Sequence, residues 1–361
     1  MRLFQNSAIY PSYRPRLARL REGVKSFEEA TKLFLEDRFG AAHFLKPVLD
    51  QEPEAFFANG DDDTTQQMWA TEQGMPPGVG LEDILLAQIE HHGTEVFYNL
   101  DPMRYGNSFL SRLPGCVRRT IAWRAAPSAG GAFNNHDLVV SNFPSIAEGF
   151  RQQGAKVAHF TPAHDPEMNR YATNTDRPID ILFVGTYSRH HVRRAKLLEA
   201  IAGLGNEFRI VMHLDTSRFT ALADSPLGLI GPLRKYRRPL SIRKVGLPPV
   251  FGRDLLQALG QAKIVFNGAI DMSGQERGNM RVWEALGCGA AMVADEGLYP
   301  DPMQPGRDFE IYGDAKEAVT KIRELLRNDE KRADFSRQGH QMIRTSFSKE
   351  KQWELFQLIA S

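Results

Sequence analysis

Short apolar runs alternate with longer amphipathic segments along the chain, and this alternation predicts strands and helices in turn. Buried parallel strands are almost continuously apolar, whereas helices repeat their apolar positions every three or four residues. The predicted strands begin at residues 2–4 and continue with 54–58, 94–99, 117–123, 137–141, 156–160, 179–185, 208–213, 263–267, 290–294 and 309–312, with another entering 246–252. The predicted helices are 17–49, 64–71, 81–92, 144–153, 195–202, 253–259, 280–286, 315–326, 330–344 and 353–359. We therefore expect an α/β fold with two Rossmann-like, doubly wound parallel sheets facing across a cleft.

The length of the chain predicts two domains. Its 361 residues exceed the usual size of one domain. We place the first domain at residues 1–168 and the second at 175–348, with the polar segment 169–178 as the hinge between them.

Composition excludes several classes of protein. With 42% hydrophobic residues and a net charge of +1, the chain is typical of a globular protein and shows no bias toward nucleic acid. No apolar run is long enough for a signal peptide core or a membrane span, so we expect a cytoplasmic protein. Cys116 and Cys288 lie far apart without metal-ligand spacing, which indicates neither a disulfide framework nor a zinc site.

A glycine-containing loop precedes the helix predicted at 280–286. Gly274 and Gly278 permit close approach of the backbone to a ligand, and Asn279 is the predicted N-cap. Unpaired amides and the dipole at a helix N-terminus favour an anion, and Arg281 adds a positive charge. We predict a diphosphate at this position.

Two glutamates flank the same helix start. Glu276 lies in the loop and Glu284 inside the helix. A carboxylate accepts hydrogen bonds from two neighbouring hydroxyls, so the pair suits a ligand with a ribose on one side of a diphosphate and a hexose on the other. The alternative for this spacing is a solvated helix face.

The wider sequence resembles a known family. The Glu-x7-Glu spacing and the segment GNMRVWEALGCGAAMVADEG at 278–297 are similar to the donor-binding region of retaining glycosyltransferases of the GT-B architecture, in particular the bacterial spore-maturation (CgeB-like) group. The resemblance implies that Glu284 holds the ribose hydroxyls, that Glu276 contacts the transferred sugar, and that amides near Gly278 and Asn279 hold the diphosphate. It also implies that a terminal helix in 349–361 packs back on the first domain.

A second predicted anion site follows the strand 179–185. That strand ends in Gly185 and leads through Ser188 into a basic helix start, where positive charge is unfavourable to the helix dipole unless it serves a ligand. In the resembled enzymes, basic residues at this position neutralise the leaving diphosphate; the candidates here are His190, His191 and Arg194, with Arg193 in place of Arg194 if the helix register differs. The alternative is a solvated basic helix start.

Together these features predict a glycosyltransferase that uses a nucleotide-diphosphate sugar, retains anomeric configuration and needs neither a metal nor another cofactor. Glu276, Arg281 and His191 are the predicted catalytic residues, and the acceptor is a glycan, a lipid-linked glycan or a protein. The residues 61–63 are all aspartates, which suits either a metal site or the N-cap of the helix at 64–71; we favour the cap.

Other functions are compatible with the same sequence features. An epimerase or an inverting transferase fits the same fold, and an inverting enzyme needs a general base, for which Asp101 and His136 are candidates. A non-catalytic sugar-nucleotide binder is a third possibility. The basic segment 234–244 suits peripheral contact with the inner face of a membrane, although a solvated loop is the explanation we favour.

Overall fold

A computed structural model describes residues 1–128, 131, 133–188, 191–215, 217–229, 231–268 and 274–361. The strands are β1 Leu3–Ser7, β2 Ala55–Asn59, β3 Val96–Asn99, β4 Arg119–Trp123, β5 Leu138–Ser141, β6 Val157–His159, β7 Ile179–Thr186, β8 Ile210–Asp215, β9 Gly246–Leu247, β10 Ala262–Asn267, β11 Ala291–Asp295 and β12 Glu310–Tyr312. The helices are α1 Arg14–Leu20, α2 Phe27–Asp37, α3 Lys46–Leu49, α4 Asp63–Glu72, α5 Leu81–His92, α6 Asn107–Leu110, α7 Pro144–Gln152, α8 Met168–Ala172, α9 Val192–Ala202, α10 Arg218–Asp224, α11 Leu240–Val245, α12 Gly252–Gly260, α13 Met280–Gly287, α14 Ala315–Arg327, α15 Asp329–Ser346 and α16 Lys349–Ala360. Within these ranges, no helix is both long and apolar enough to cross a bilayer.

The chain divides into two compact units, each built on a six-stranded parallel sheet. Unit 1 comprises residues 1–163 and 349–361, and unit 2 comprises 164–348. The strand order is β2-β1-β3-β4-β5-β6 in unit 1 and β12-β11-β10-β7-β8-β9 in unit 2. Every strand pair is parallel, which confirms the predicted α/β class with two Rossmann-like parallel sheets.

The sheet of unit 2 is buried on both faces. In β10, Val265 packs into one core with α12 and α13, whereas Ile264 and Phe266 pack into the other with α9 and α14. All three are fully buried. This two-sided burial is the physical reason that the strand is a continuous apolar run.

The last helix, α16, belongs to unit 1. Lys349 at its first position is 2% exposed, and its ammonium donates to three backbone carbonyls, those of Ala41, Ala42 and Phe44. Further along the helix, Phe356 packs its ring 5.0 Å from that of Tyr98. A buried ammonium is stable only when its donors are satisfied, so these carbonyls fix the start of α16.

Two predicted elements differ from the structure. The helix predicted at 17–49 is divided, because Gly23 and Gly40 take positive φ angles of 84° and 75° and Ser26 starts a new helix by accepting a hydrogen bond from the amide of Glu29. The strand predicted beyond 243–244 is preceded by the helix Leu240–Val245 and is only two residues long. The basic pair at 243–244 suits the negative end of this helix.

Candidate functional site

The strand order of unit 2 reverses direction between β7 and β10. From β7 the chain builds outward to β8 and β9, and it then returns to the other side of β7 to add β10, β11 and β12. In open α/β sheets, ligands bind outside the carboxyl ends of the strands at such a switch point. The loops that follow β7 and β10 are therefore the candidate site, and both had been selected from the sequence.

The loop before α13 is held by backbone pairing to the segment after β11. The amide of Arg277 donates to Leu298 O at 2.7 Å, and the amide of Leu298 donates to Gln275 O at 2.8 Å. Glu276 lies between these two bonds and is half-buried. Gly274 has a φ of 57°, which a glycine adopts at little cost. The predicted sugar-contacting carboxylate therefore stands on a fixed backbone.

Arg277 fixes this loop, a role that no sequence pattern predicted. Its Nε lies 2.5 Å from Oδ2 of Asp295 at the end of β11, and its Nη1 donates to Gly274 O at 2.8 Å. Both side chains are about nine-tenths buried. A Cβ at Gly297 would lie 2.4 Å from Gln275 O and 2.7 Å from Cγ of Arg277, so only glycine fits there. The available signal was an arginine between Glu276 and Gly278, facing an acidic strand end.

Asn279 stands at the N-cap position of α13, as predicted, but its side chain caps no backbone amide. Its amide group instead exchanges two hydrogen bonds with that of Asn267 at the end of β10, at 3.0 and 3.1 Å. The helix start is thereby tied to the strand end. The side chain of Asn279 therefore does not occupy the first-turn amides of α13, and helix N-terminal amides of this kind can bind an anionic ligand.

Two residues predicted to act on different parts of the donor are bonded to each other. Nη1 of Arg281 donates to Oε2 of Glu284 at 2.5 Å, three positions along α13. Glu284 is 6% exposed, and the Nε of Arg281 is buried without a hydrogen-bond partner. Because a buried carboxylate needs a nearby cation, Arg281 is the counter-ion of Glu284.

The loop after β7 brings a second cation to the switch point. The guanidinium of Arg194 lies 5.2 Å from the ring centroid of Phe183. A Cβ at Gly185 would lie only 2.7 Å from Nη2 of Arg194, so the glycine makes room for the cation. Arg193 points elsewhere and donates to Gly313 O at 2.7 Å. Of the two arginines left open by the sequence, Arg194 is the one beside the strand end.

The other residues predicted in this loop are only partly described. His191 occupies the N-cap position of α9, and its amide donates to Ser188 O at 3.2 Å. Both residues are half-buried. His190 lies outside the described residues.

Tyr312 connects the two halves of the candidate site. Its hydroxyl donates to Asn267 O at 3.0 Å, and its ring stacks on Phe266 at 5.2 Å. Burial raises the pKa of Tyr312 well above its usual value, and the positive charges of Arg193 and Arg194 oppose that shift. The β7 loop and the start of α13 therefore both lie near the end of β10.

In unit 1, the two candidate general bases differ in character. His136 is 4% exposed, and its Nδ1 bonds to Phe133 O at 2.7 Å while its Nε2 lies 3.3 Å from Nδ2 of Asn99. Burial lowers the pKa of His136 to about 4, so it is a neutral structural residue. Asp101, at the end of β3, lies 3.4 Å from Arg104, and burial raises its pKa.

The three consecutive aspartates of unit 1 serve local structure. Asp61 accepts a hydrogen bond from the amide of Ile9 and pairs with Arg14 at 2.9 Å. Asp62 occupies the N-cap position of α4, but its side chain caps no backbone amide and instead pairs with Arg21 at 2.5 Å. No cluster of potential metal ligands occurs in the part of the chain that the structure describes.

Solved structures with the same fold cover the whole chain. Anabaena HepE, crystallised with UDP and glucose, has a TM-score of 0.60 at 13% identity over 99% of both chains. Sucrose-phosphate synthase from Thermosynechococcus elongatus has a TM-score of 0.57 at 11% identity over 99% of this chain and 97% of that one. Staphylococcus aureus TarM has a TM-score of 0.53 at 13% identity over 78% of this chain and 59% of TarM. No curated protein sequence matches the chain. Together with the site at the switch point, this likeness shows that the chain has the GT-B fold.

The sequence of the second part of the chain also matches a known protein family. Residues 189–357, which include all of α13 and its loop, match the family described as glycosyl transferase-like. The chain therefore has the GT-B fold, and residues 189–357 are similar to glycosyl transferase-like sequences.

Proposed function

We propose that the protein transfers a hexose from a nucleoside-diphosphate donor to a glycan, lipid-linked or protein acceptor, with retention of anomeric configuration and without a metal. The observation that carries the proposal is the position of the start of α13, which lies at the switch point of a parallel sheet and whose N-cap side chain, that of Asn279, caps no backbone amide. HepE was crystallised with UDP-glucose, and TarM with UDP. Uridine nucleotides are therefore the first donors to test.

The diphosphate is proposed to lie against the amides near Gly278 and Asn279. Arg194, backed by Gly185, supplies positive charge from the start of α9, and Ser188 and His191 offer hydrogen-bond donors beside it. Glu284, held by Arg281, accepts the ribose hydroxyls, and Glu276 accepts those of the hexose. This arrangement is supported by the fixed backbone of Glu276 and by the Arg281–Glu284 bond.

The proposed chemistry rests on stabilising the leaving group. As the bond between the sugar C1 and the diphosphate breaks, negative charge grows on the diphosphate and the sugar approaches an oxocarbenium ion. Amides and cations that are already directed at that charge lower the barrier without moving during the reaction. A cationic site of this kind can take the role that a divalent metal plays elsewhere, which is the basis for proposing metal independence.

An inverting transferase is the second candidate. Burial raises the pKa of Asp101, and a carboxylate with a raised pKa at the end of a parallel strand suits a general base. His136 no longer competes for that role, because both of its ring nitrogens bond within the core.

Peripheral contact with a membrane through 234–244 is also part of the proposal. Arg238 forms an ion pair with Asp224 at 2.5 Å, whereas Arg234, Lys235 and Lys244 are exposed. Six of the twelve large apolar side chains that are exposed in the described part of the chain lie in or near this segment: Phe219, Leu222, Leu229, Tyr236, Leu240 and Leu247. Exposed apolar side chains among cations suit an anionic lipid surface.

Transfer assays with UDP-hexoses test the function directly. We expect saturable hydrolysis or transfer that EDTA leaves unchanged, and NMR of the first-formed product gives the anomeric configuration. Glu276→Ala should abolish turnover while UDP binding persists, whereas Glu324→Ala, which removes an exposed carboxylate on α14, should leave both unchanged. An inverted product would favour the Asp101 alternative, and unchanged turnover in Glu276→Ala would remove Glu276 from the mechanism.

A further inference from the structure

A cavity of unit 2 lies at the opposite end of the sheet from the switch point. Its volume is about 490 Å³. It is lined by Arg177 just before β7, Lys263 at the start of β10, Gly289 just before β11, and one face of α15. Since these strands are parallel, all three positions mark their amino ends, so this cavity is separate from the proposed donor site.

The lining of this amino-end pocket is strongly basic. Along α15, the residues that line it recur every three or four positions, which places them on one side of the helix. Besides His340, the ionisable groups that line the pocket are five cations and one carboxylate: Arg177, Lys263, Arg332, Arg337, Arg344 and Asp329. The chain as a whole is nearly neutral, so this excess of positive charge is local.

Three of the five cations are neutralised by neighbouring carboxylates. Lys263 pairs with Asp180 at 2.7 Å, Arg332 with Asp329 at 2.7 Å, and Arg337 with Asp334 at 2.5 Å. The pocket therefore retains the positive charge of the other two residues, which have no ion pair with any described carboxylate.

These two cations have different surroundings. Arg177 is half-buried and donates only to carbonyl oxygens, including Ala262 O at 2.9 Å and Cys288 O at 3.0 Å. Carbonyls satisfy its donors but leave its net charge in place. Arg344 is exposed on α15, with no hydrogen bond to the described residues. One charge is thus fixed at the base of the pocket, and the other is free to close on a ligand.

His340 adds a titratable donor between them. Its Nδ1 lies 2.9 Å from the carbonyl oxygen of Gly287, and Gly287 is the last residue of α13. Burial lowers the pKa of His340, and the charges of Arg344 and Arg177 lower it further. The negative charge of an anion in the pocket would oppose this lowering and favour the protonated imidazolium ring, whose Nε2 can also donate a hydrogen bond.

We propose that the amino-end pocket binds a small phosphorylated metabolite, with Arg344 and His340 contacting its phosphate group and Arg177 contributing its unneutralised positive charge. A guanidinium such as that of Arg344 matches a phosphate in charge and can donate to two of its oxygens. The cavity is larger than a free phosphate ion, which leaves room for a small organic part. The pocket lies next to the end of α13 that is remote from the donor, since Gly289 follows this helix and His340 bonds to its last residue, Gly287; the helix itself is about 12 Å long. This proposal is independent of the donor assignment.

Calorimetric titration of the full chain tests it, with saturating UDP present to occupy the donor site. The probes are glucose 6-phosphate and inorganic phosphate, with sodium sulfate as a charge control, all at constant ionic strength. We expect one saturable site per chain that favours the sugar phosphate. Stronger binding of inorganic phosphate would keep the site but assign it to the free ion.

Two substitutions locate the binding. Arg344→Gln should weaken it about tenfold, and Arg327→Gln, which removes an exposed arginine of α14 outside the pocket lining, should leave it unchanged. Both side chains are exposed, so we expect both variants to fold, and circular dichroism checks this. Equal affinities in wild type and Arg344→Gln, equal effects of the two substitutions, or no saturable binding by the wild type would overturn the proposal. A separate titration with UDP shows whether the donor site is intact, independently of whether the sugar phosphate binds.

Discussion

Arg281 and Glu284 form a hydrogen-bonded ion pair of 2.5 Å within one turn of α13. The arginine was expected to face the diphosphate and the glutamate the ribose, as independent contacts. Their bond makes Arg281 a positioning residue for the carboxylate. Its buried Nε and the rest of its guanidinium still allow a contact with the donor.

A double-mutant cycle tests this coupling. Arg281→Ala and Glu284→Gln should each weaken UDP binding, and the double variant should be little worse than either single variant. We expect a coupling energy of about 1–3 kcal/mol, because each change disables the same unit. Calorimetric titration of UDP against the four proteins provides the measurement. Additive losses would instead show that the two side chains contact the donor separately.

The close approach of Gly185 to Arg194 leads to a second prediction. In Gly185→Ala the new methyl group would occupy the place of Nη2, so Arg194 must move away from the strand end. We expect about a tenfold loss in UDP affinity, or roughly 1.4 kcal/mol, with a stability cost of about 1–3 kcal/mol from overpacking.

Gly203→Ala is the matched control for this change. A Cβ at Gly203 would meet no atom within 4 Å. Gly203 is the C-cap residue of α9, the helix whose first turn contains Arg194. It should bind UDP as the wild type does. If Gly185→Ala also binds normally, Arg194 does not contribute to the diphosphate site.

The buried histidine of unit 1 predicts a pH dependence of stability. Burial lowers the pKa of His136 to about 4, against about 6.5 in an unfolded chain. The unfolded state therefore takes up the proton first, so the stability due to the neutral ring is complete above pH 6.5 and is lost as the pH falls toward 4. The loss at pH 5 is about 2 kcal/mol.

Urea unfolding of wild type and His136→Gln between pH 7.5 and 4.5 isolates this contribution, because the other histidines are common to both proteins. The wild type should be the more stable at pH 7.5, and its advantage should shrink as the pH falls. Parallel profiles for the two proteins would show that His136 titrates normally in the folded state.

The proposed membrane contact makes a fourth prediction, for vesicle sedimentation. Vesicles with about 30% phosphatidylglycerol should retain the protein at low salt, and neutral vesicles should not. Replacing Arg234 and Lys235 by glutamine should reduce binding by about 1 kcal/mol per charge. Leu358→Ser, which changes an apolar side chain that is 74% exposed on α16, should have no effect. Binding that ignores lipid charge would contradict an electrostatic contact.

Local sequence pattern was sufficient to find most helices and strands of both units. The helix predicted at 81–92 has the same bounds in the structure, and the strand predicted at 263–267 begins one residue earlier. These elements were found because strong amphipathic or apolar periodicity reports burial directly. The helix predicted at 17–49 was wrong because two glycines and a serine cap interrupt it, and the apolar pattern alone does not show where a helix stops.

The sequence by itself determined the α/β class, the parallel sheets and the two loops at the switch point, because strand periodicity, glycines and charges are local properties. Only the tertiary structure decided that Asn279 bonds to Asn267, that Arg194 rather than Arg193 lies beside Gly185, and that Arg277 anchors its loop on Asp295. Each of these depends on which strand ends become neighbours. Sequence spacing carries no such information, since β7 and β10 are adjacent in the sheet but about 80 residues apart in the chain.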